Sequence, residues 1–281
     1  MTTTSVILGG ARTPIGRFGS SLASLAAVDL GAVAIREALA RSGVEPASVD
    51  YVVMGQVLQA GTGQITARQA AIAAGLPREV PAITINKVCL SGLNAVAMAD
   101  QMIRAGEADI VVAGGMESMS QAPYLLPKAR EGLRIGDGQV VDSLIHDGLW
   151  STFTKQHMGE SSDAINRELG ITRAEQDAWA ARSHRRAAAA WESGVLAEEV
   201  VAVEVPGKGG PTVVERDEGV RADTTVEKLG ALRPAFVEGG TITAGNASQV
   251  SDGAAALVVA RREVADALGV EPEDFIQPWG Q

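Results

Sequence analysis

The stretch Ala82-Ile-Thr-Ile-Asn-Lys-Val-Cys-Leu-Ser-Gly-Leu-Asn94 passes from one secondary-structure pattern to another within a few residues. Residues 82–86 predict a strand and residues 93–104 predict a helix, so Cys89 falls in the turn between them. Further short apolar strands, such as 110–113, alternate with helices on both sides of this stretch. Such alternation is typical of an α/β fold, and we expect a mixed, mostly parallel sheet that helices cover on both faces.

The pattern changes after Met116, and the change divides the chain into segments. Residues 1–116 and 246–268 are assigned to one α/β core, and residues 117–245 to an inserted loop domain. The insertion is richer in charged and irregular stretches, and long insertions in compact domains usually carry function. Residues 269–281 are interpreted as the start of a further, C-terminal domain.

Helix boundaries are signalled at two places along the chain. Inside the insertion, Thr172 and Glu175 have the spacing of a capping box, and the helix that they open is predicted to extend to about Glu192, before Gly194. In the core, Asp29 is predicted to be the N-cap of a helix.

The composition is that of a globular chain with an acidic charge balance. Of the 281 residues 46% are hydrophobic, and 34 acidic against 24 basic residues give a formal net charge of −10. An acidic chain argues against a nucleic-acid partner. The single cysteine excludes an internal disulfide and fits a reducing compartment. No segment approaches the ~20 apolar residues of a membrane span, and the N-terminus lacks a signal-peptide pattern, so we expect a cytoplasmic protein without a membrane partner.

Cys89 is the candidate reactive residue. A turn just before a helix places its side chain near unpaired N–H groups and the positive end of the helix macrodipole, an environment that favours a thiolate. The same N–H groups could hold an oxyanion, and Gly92 would let a ligand approach the backbone. The alternative is that Cys89 is a small, buried and inert side chain, and its position alone does not decide between the two.

The sequence resembles the thiolase family in several motifs, which occur in the order and at the spacing of that family. These motifs are Gly9-Gly-Ala-Arg-Thr-Pro-Ile-Gly16, Asn86-Lys-Val-Cys-Leu-Ser-Gly92, Gly114-Gly-Met-Glu-Ser-Met-Ser120 and Gly245-Asn-Ala-Ser-Gln-Val-Ser-Asp-Gly-Ala-Ala255. The resemblance implies a thiolase-like half-fold, the first of two similar α/β halves, with a loop domain inserted in it. It also implies that Cys89 is the acyl-accepting nucleophile.

The resemblance implies the two-step chemistry of an acetyl-CoA C-acetyltransferase. The cysteine takes an acyl group from one acyl-CoA, and a second acyl-CoA, deprotonated at its α-carbon, attacks the resulting thioester in a Claisen condensation; thiolysis of a 3-ketoacyl-CoA is the reverse. Coenzyme A enters as the substrate thioester, and no separate cofactor is expected. The family places such enzymes in fatty acid metabolism, usually as oligomers. Segments around His146 and His157 resemble those of short-chain members, which favours acetyl-CoA and acetoacetyl-CoA.

Several positions are implied as substrate or CoA contacts because they match family segments. They are Leu149, His157, Met158, Arg221, Lys228, Phe236, Ala244 and Ser248. Arg221 matches an arginine at the nucleotide end of CoA, where a guanidinium suits a phosphate or the adenine ring. Lys228 stands where relatives often have a serine. A polar core role for His157 and a solvated surface role for Arg221 are the alternatives.

Other ionisable side chains are interpreted as structural. Glu117 and Asp252 have no spacing that supports a shared acid–base role. The 3 histidines show no metal-ligand spacing with the cysteine, so no metal site is expected.

The sequence departs from the thiolase pattern in its catalytic bases. Thiolases carry Asn-Glu-Ala-Phe, Gly-His-Pro and Cys-Xaa-Gly segments in their second half, but this sequence has no second cysteine and no histidine after His184. A Claisen condensation needs a base for the α-carbon and an oxyanion site. We interpret the chain as an N-terminal half that works with a complementing C-terminal thiolase chain or within an oligomer. A non-catalytic CoA-binding or assembly module and another condensing enzyme of the same superfamily are the alternatives.

The sequence therefore predicts that these 281 residues alone have no thiolase activity. Absorbance of the acetoacetyl-CoA enolate during thiolysis is the measurement, with a full-length thiolase as the positive control. A purified chain of this length that cleaves acetoacetyl-CoA would refute the prediction.

Overall fold

A computed structural model describes residues 4–276 of the chain. Its helices are α1 (Ala27–Ser42), α2 (Thr66–Ala74), α3 (Ser91–Ala105), α4 (Met158–Leu169), α5 (Arg173–Glu192), α6 (Val195–Glu199), α7 (Val226–Gly230) and α8 (Arg262–Leu268). Its strands are β1 (Ser5–Arg12), β2 (Gly16–Arg17), β3 (Tyr51–Gly55), β4 (Ala82–Ile85), β5 (Ile110–Ser118), β6 (Tyr124–Leu125), β7 (Val141–Asp142), β8 (Trp150–Ser151), β9 (Gln156–His157), β10 (Val203–Val205), β11 (Thr212–Val214), β12 (Ser251–Arg261) and β13 (Asp274–Phe275).

The chain divides into two compact units. The sheet unit contains the described residues up to Ala122, the segment Glu199–Asp217 and the described residues from Ser251 onward; the insert unit contains Pro123–Glu198 and Glu218–Val250. The segment Glu199–Asp217, which the sequence assigned to the insertion, thus belongs with the sheet.

A mixed seven-stranded sheet organises the sheet unit, in the order β13-β1-β12-β5-β3-β4, with β2 paired to β12. Strand β3 is parallel to both β4 and β5. The expected majority of parallel pairs is not found, because β12 returns from the insertion and lies antiparallel between β1 and β5. Strand β13 pairs antiparallel with β1, so residues 274–275, interpreted from the sequence as the start of another domain, extend this sheet. Residues 277–281 lie outside the described residues.

Helices cover both faces of the sheet, as the sequence predicted. Neighbouring residues of one strand point to opposite faces: Val112 packs in the cluster that contains residues of α1 and α2, whereas Val111 packs in the cluster that contains residues of α3. Helix α1 begins at Ala27, so the predicted N-cap role of Asp29 is wrong and Asp29 lies in the first turn of the helix. From there its carboxylate accepts a hydrogen bond from the Ala26 N–H at 3.0 Å.

Arg12, at the end of β1, ties Glu199–Asp217 to the sheet. Its guanidinium donates to both carboxylate oxygens of Asp217, at 2.7 and 3.0 Å, and to Glu199 at 2.6 Å. Burial alone would lower the pKa of Arg12, but the hydrogen bonds and charges of Asp217 and Glu199 outweigh it and raise that pKa. A paired and hydrogen-bonded arginine is one that can be partly buried. Val203 and Val205 of β10 and Val214 of β11 join the core on the α1 face.

Gly114 allows the backbones of β5 and β12 to approach each other closely. A Cβ built at Gly114 would lie 2.1 Å from the carbonyl oxygen of Ala255 and 2.9 Å from the Cα of Ala256. Both neighbours are backbone atoms of the paired strand, so a side chain here would have to push the strands apart.

We predict that Gly114→Ala lowers the free energy of unfolding by about 1–3 kcal/mol, because the added methyl overpacks the strand pair. Chemical denaturation measures the change. Gly209→Ala is the matched control, since a Cβ at Gly209 would meet nothing within 4 Å. Equal effects of the two substitutions would contradict the prediction.

Candidate active site

Cys89 lies in the turn between β4 and α3, where the sequence predicted it. The thiol is exposed and belongs to the single cysteine of the chain, so it is not the buried side chain that the alternative requires. Helix α3 begins at Ser91, earlier than the predicted start at residue 93. The first turn forms there because the Ser91 N–H donates to the Val88 carbonyl at 3.0 Å and the Asn94 N–H to the Leu90 carbonyl at 2.8 Å.

Glycines let the start of α3 lie directly against two strands. A Cβ at Gly55, at the end of β3, would be 2.6 Å from the Cβ of Ser91 and 2.7 Å from the backbone nitrogen of Gly92. A Cβ at Gly115 of β5 would be 3.2 Å from the Cα of Gly92. The first turn of α3, and the turn before it, are therefore held on a rigid backbone platform.

The turn itself is held by side chains on both sides of Cys89. Asn86 accepts a hydrogen bond from the Val88 N–H at 2.9 Å, and the Ser91 hydroxyl accepts one from the Lys87 N–H at 2.8 Å. The Lys87 ammonium donates to the Asn94 side chain at 3.0 Å. A helix N-terminus stabilises negative charge through its free N–H groups, and Cys89 directly precedes the N-cap residue of α3, Leu90.

The carboxylates of Glu117 and Asp252 have structural partners. Glu117 accepts hydrogen bonds from the backbone N–H groups of Val57, at 2.8 Å, and Leu58. Burial raises the pKa of Glu117; those two N–H groups oppose the shift, and the negative charge of Asp252 adds to it. Asp252 is fully buried and accepts from the N–H and the hydroxyl of Ser120, at 2.9 and 2.6 Å.

In the insert unit, His157 and Phe236 of the predicted CoA contacts come together. Their rings stack with centroids 4.8 Å apart. The Gly159 N–H donates to Nδ1 of His157 at 3.1 Å, which assigns the acceptor role to Nδ1. A Cβ at Gly159 would be 2.4 Å from the Phe236 ring, so only glycine fits there. Met158 beside them is exposed, and Leu149 ends a π-helical turn.

Arg221 and Lys228 differ in how their side chains are engaged. The Arg221 side chain is exposed, and its backbone N–H donates to Nδ1 of His184 at 3.2 Å. Burial and then the charge of Arg221 lower the pKa of His184, against the opposing charge of Asp223. The ammonium of Lys228 pairs with Asp223 at 2.6 Å. The Arg221 guanidinium is thus exposed to solvent near Asp223, whereas the ammonium of Lys228 is paired with Asp223.

Ala244 and Ser248 are exposed on a loop that two buried carboxylates hold. Asp163 of α4 accepts hydrogen bonds from the backbone N–H groups of Thr241, at 2.7 Å, and Ile242, at 3.1 Å. Asp177 of α5 accepts from the side chain of Asn246 at 2.9 Å. Sequence reasoning missed Asp163 and Asp177, because their partners are distant in sequence and acidic residues on helices usually face solvent. Asn246, which lies in the Gly245–Ala255 motif, was the one sequence feature that could have pointed to Asp177.

The structure therefore places the sequence-predicted residues in both units. Cys89 belongs to the sheet unit, and all the predicted CoA contacts belong to the insert unit. Among residues 4–276, no group of three or more His, Cys, Asp or Glu side chains could hold a metal ion. Within the same described range, no helix combines the length and the apolar character that crossing a membrane requires.

Comparison with known proteins places these observations in one family. A family model described as the N-terminal domain of thiolase matches residues 5–263. A probable acetyl-CoA acetyltransferase of Mycolicibacterium smegmatis is 56% identical over 266 residues, which cover 94% of this chain and 69% of that protein. The acetyl-CoA acetyltransferase of Cupriavidus necator is 52% identical over 275 residues, covering 98% of this chain and 70% of the relative.

A solved structure shows the same arrangement of the backbone. The crystal structure of the Bacillus anthracis acetyl-CoA acetyltransferase superposes with a TM-score of 0.93 at 40% sequence identity. The match covers 96% of this chain and 68% of that chain.

We predict that the stability difference between the native chain and Glu117→Gln depends on pH. The pKa of Glu117 is raised in the folded state. The stabilisation of the folded state that results is fully present below the ordinary pKa of Glu117 and is lost as the pH rises through the raised value. The native chain should therefore lose stability relative to Glu117→Gln as the pH rises above 4.5, the ordinary pKa of a glutamate.

Chemical denaturation at several pH values measures this difference. Glu175→Gln is the control of opposite sign, because the Thr172 N–H and hydroxyl lower the pKa of Glu175, whose contribution is lost as the pH falls. The raised pKa of Glu117 would be contradicted if the stability difference between the native chain and Glu117→Gln did not change with pH, or if it changed with pH in the same direction as the difference for Glu175→Gln.

Proposed function

Since the chain belongs to the thiolase family and is a thiolase-type acyltransferase, we propose that the Cys89 thiol accepts the acyl group. The thiolate attacks the carbonyl carbon of an acyl-CoA, the Cys89 S–C bond forms, and coenzyme A leaves as its thiolate. In the second step, the α-carbanion of another acyl-CoA forms a C–C bond to the acyl carbon, and the S–C bond to Cys89 breaks. The observation that carries the proposal is an exposed thiol held rigidly at the N-terminal end of α3.

The turn supports this assignment through its hydrogen bonds. Attack on a thioester places negative charge on the carbonyl oxygen, which N–H donors at a helix N-terminus stabilise. The contacts of Gly55, Gly92 and Gly115 keep this end of α3 against the sheet. A nucleophile on such a platform needs little reorganisation during the reaction.

We assign coenzyme A to the predicted contacts of the insert unit. Stacked His157 and Phe236 offer an apolar wall for the pantetheine chain, with exposed Met158 beside it. Small side chains at Ala244 and Ser248 leave room for a narrow ligand near the backbone. Leu149 completes the proposed apolar contacts.

The nucleotide end of coenzyme A is assigned to the two cationic positions. The exposed Arg221 guanidinium suits a phosphate or the adenine ring. A phosphate at Lys228 would compete with Asp223, and exposed ion pairs of this kind exchange at little cost.

The substrate class, partners and setting follow from the family. We propose acetyl-CoA and acetoacetyl-CoA as substrates, with no cofactor beyond the CoA thioester, in the fatty acid metabolism of the cytoplasm. The proton transfers at the α-carbon are assigned to groups that another thiolase segment or subunit supplies, because the sequence has no second cysteine. An oligomer or a complementing C-terminal chain would supply them.

Intact-mass spectrometry after mixing the chain with acetyl-CoA tests the nucleophile. We expect one added acetyl group, removable by hydroxylamine, and its absence in Cys89→Ser, because the chain has no other thiol. Circular dichroism of Cys89→Ser controls for folding. No adduct on the native chain, with coenzyme A still bound, would overturn the proposal in favour of a non-catalytic CoA-binding module.

A further inference from the structure

Val88, directly before Cys89, has a backbone conformation that valine avoids. Its φ is +51°, in the left-handed region, where the branched Cβ crowds the backbone. Its side chain is 39% exposed, so packing of that side chain in the core does not force the conformation. Such strain persists only where the surrounding structure over-determines the backbone, and it concentrates at functional sites.

Two side chains hold the peptide groups on either side of Val88. The Val88 N–H donates to the Asn86 side-chain oxygen at 2.9 Å. The Val88 carbonyl accepts from the Ser91 hydroxyl at 2.6 Å and from the Ser91 N–H at 3.0 Å. The Ser91 oxygen also accepts from the Lys87 N–H at 2.8 Å, so this one hydroxyl links the Lys87 N–H to the Val88 carbonyl.

Ser91 is itself fixed in place. It is buried, with 4% of its surface exposed, and it lies against Gly55, where a Cβ would come within 2.6 Å of its own Cβ. Ser91 lies against the platform through its backbone and Cβ and binds Val88 through its hydroxyl, so it transmits the rigidity of the platform to the turn. The Val88 carbonyl that it binds belongs to the peptide bond to Cys89.

We propose that Ser91 is a positioning residue for Cys89. Its hydroxyl, together with the Asn86 side chain, holds Val88 in the left-handed conformation, and this conformation keeps the thiol at the N-terminal end of α3. The inference rests on the acyl-transfer function proposed for Cys89, but it concerns a different residue and has its own readout.

The test is the rate of alkylation of Cys89 by iodoacetamide, which needs no acyl-CoA and reports one site because the chain has one cysteine. We expect Ser91→Ala to slow alkylation about two- to fivefold, the factor that corresponds to losing the stabilisation of a negative charge at a helix N-terminus. Ser42→Ala is the matched control. Ser42 is also buried, and its hydroxyl donates to the Leu39 carbonyl at 2.9 Å and accepts from the Val44 N–H at 3.4 Å, at the end of α1.

A double-mutant cycle separates positioning from general loosening. Asparagine tolerates the left-handed region far better than valine, so in a Val88→Asn background the hydroxyl has less strain to hold. The slowing caused by Ser91→Ala should then shrink by at least half on a logarithmic scale. Should Ser91→Ala fail to fold, Asn86→Ala removes the other hydrogen bond that holds Val88, from an exposed position, and is expected to slow alkylation as well.

Three results would overturn the proposal: alkylation of Ser91→Ala at or above the native rate, equal slowing by Ser42→Ala, or an effect of Ser91→Ala that Val88→Asn leaves unchanged. When Ser91→Ala does not fold, a native rate in Asn86→Ala overturns it. Acetylation by acetyl-CoA is measured on the same proteins. If Ser91→Ala slows alkylation but the native chain forms no acetyl adduct, Ser91 remains a positioning residue and the acyl-transfer function is rejected. If the native chain forms the adduct but Ser91→Ala leaves alkylation unaffected, the acyl-transfer function remains and the positioning role of Ser91 is rejected.

Discussion

The sheet unit depends on the antiparallel pairing of β5 with β12. This pairing joins Ile110 to Ala260 at one end and Ser118 to Asp252 at the other, so the chain leaves the sheet and returns to it at neighbouring positions. The long segment between them can then be accommodated without disturbing the core. Gly114 permits the strands to meet at this distance, and the buried Asp252 fixes the return through Ser120. The platform under Cys89 rests partly on the same strand, because Gly115 of β5 is one of the two glycines against which the start of α3 lies.

Local patterns in the sequence predicted most elements, and non-local pairing accounts for the errors. The capping box at Thr172 and the helix that it opens are confirmed. Apolar runs cannot show whether a strand is parallel or antiparallel to its neighbour. The position of β12 between β1 and β5 could therefore not be predicted from the sequence. The placement of Glu199–Asp217 was missed for a similar reason. It is set by Arg12, whose partners Asp217 and Glu199 are remote in sequence.

The candidate site shows the same division between local and distant information. The turn at Cys89 and the helix after it were predictable from residues 82–94, but the conformation of Val88 was not, since propensities assign a valine to extended structure. The burial of Asp163 and Asp177 in the insert unit could not be predicted from the sequence either. In both places a local rule fails because a distant or buried partner compensates for it, which is the expected behaviour of functional sites.

The position of β12 also has a consequence for the order in which the chain can fold during synthesis. Strand β1 is synthesised before the other strands of this sheet, yet its partners β12 and β13 are the last of the described strands to be made. Until residue 261 has been made, β1 and one side of β5 have no strand to pair with. At ribosomal speeds the wait after β5 is on the order of ten seconds. Unpaired strand edges with apolar faces are templates for association with other chains, so this half of the sheet is a segment that a chaperone would be expected to shield while the insert is translated.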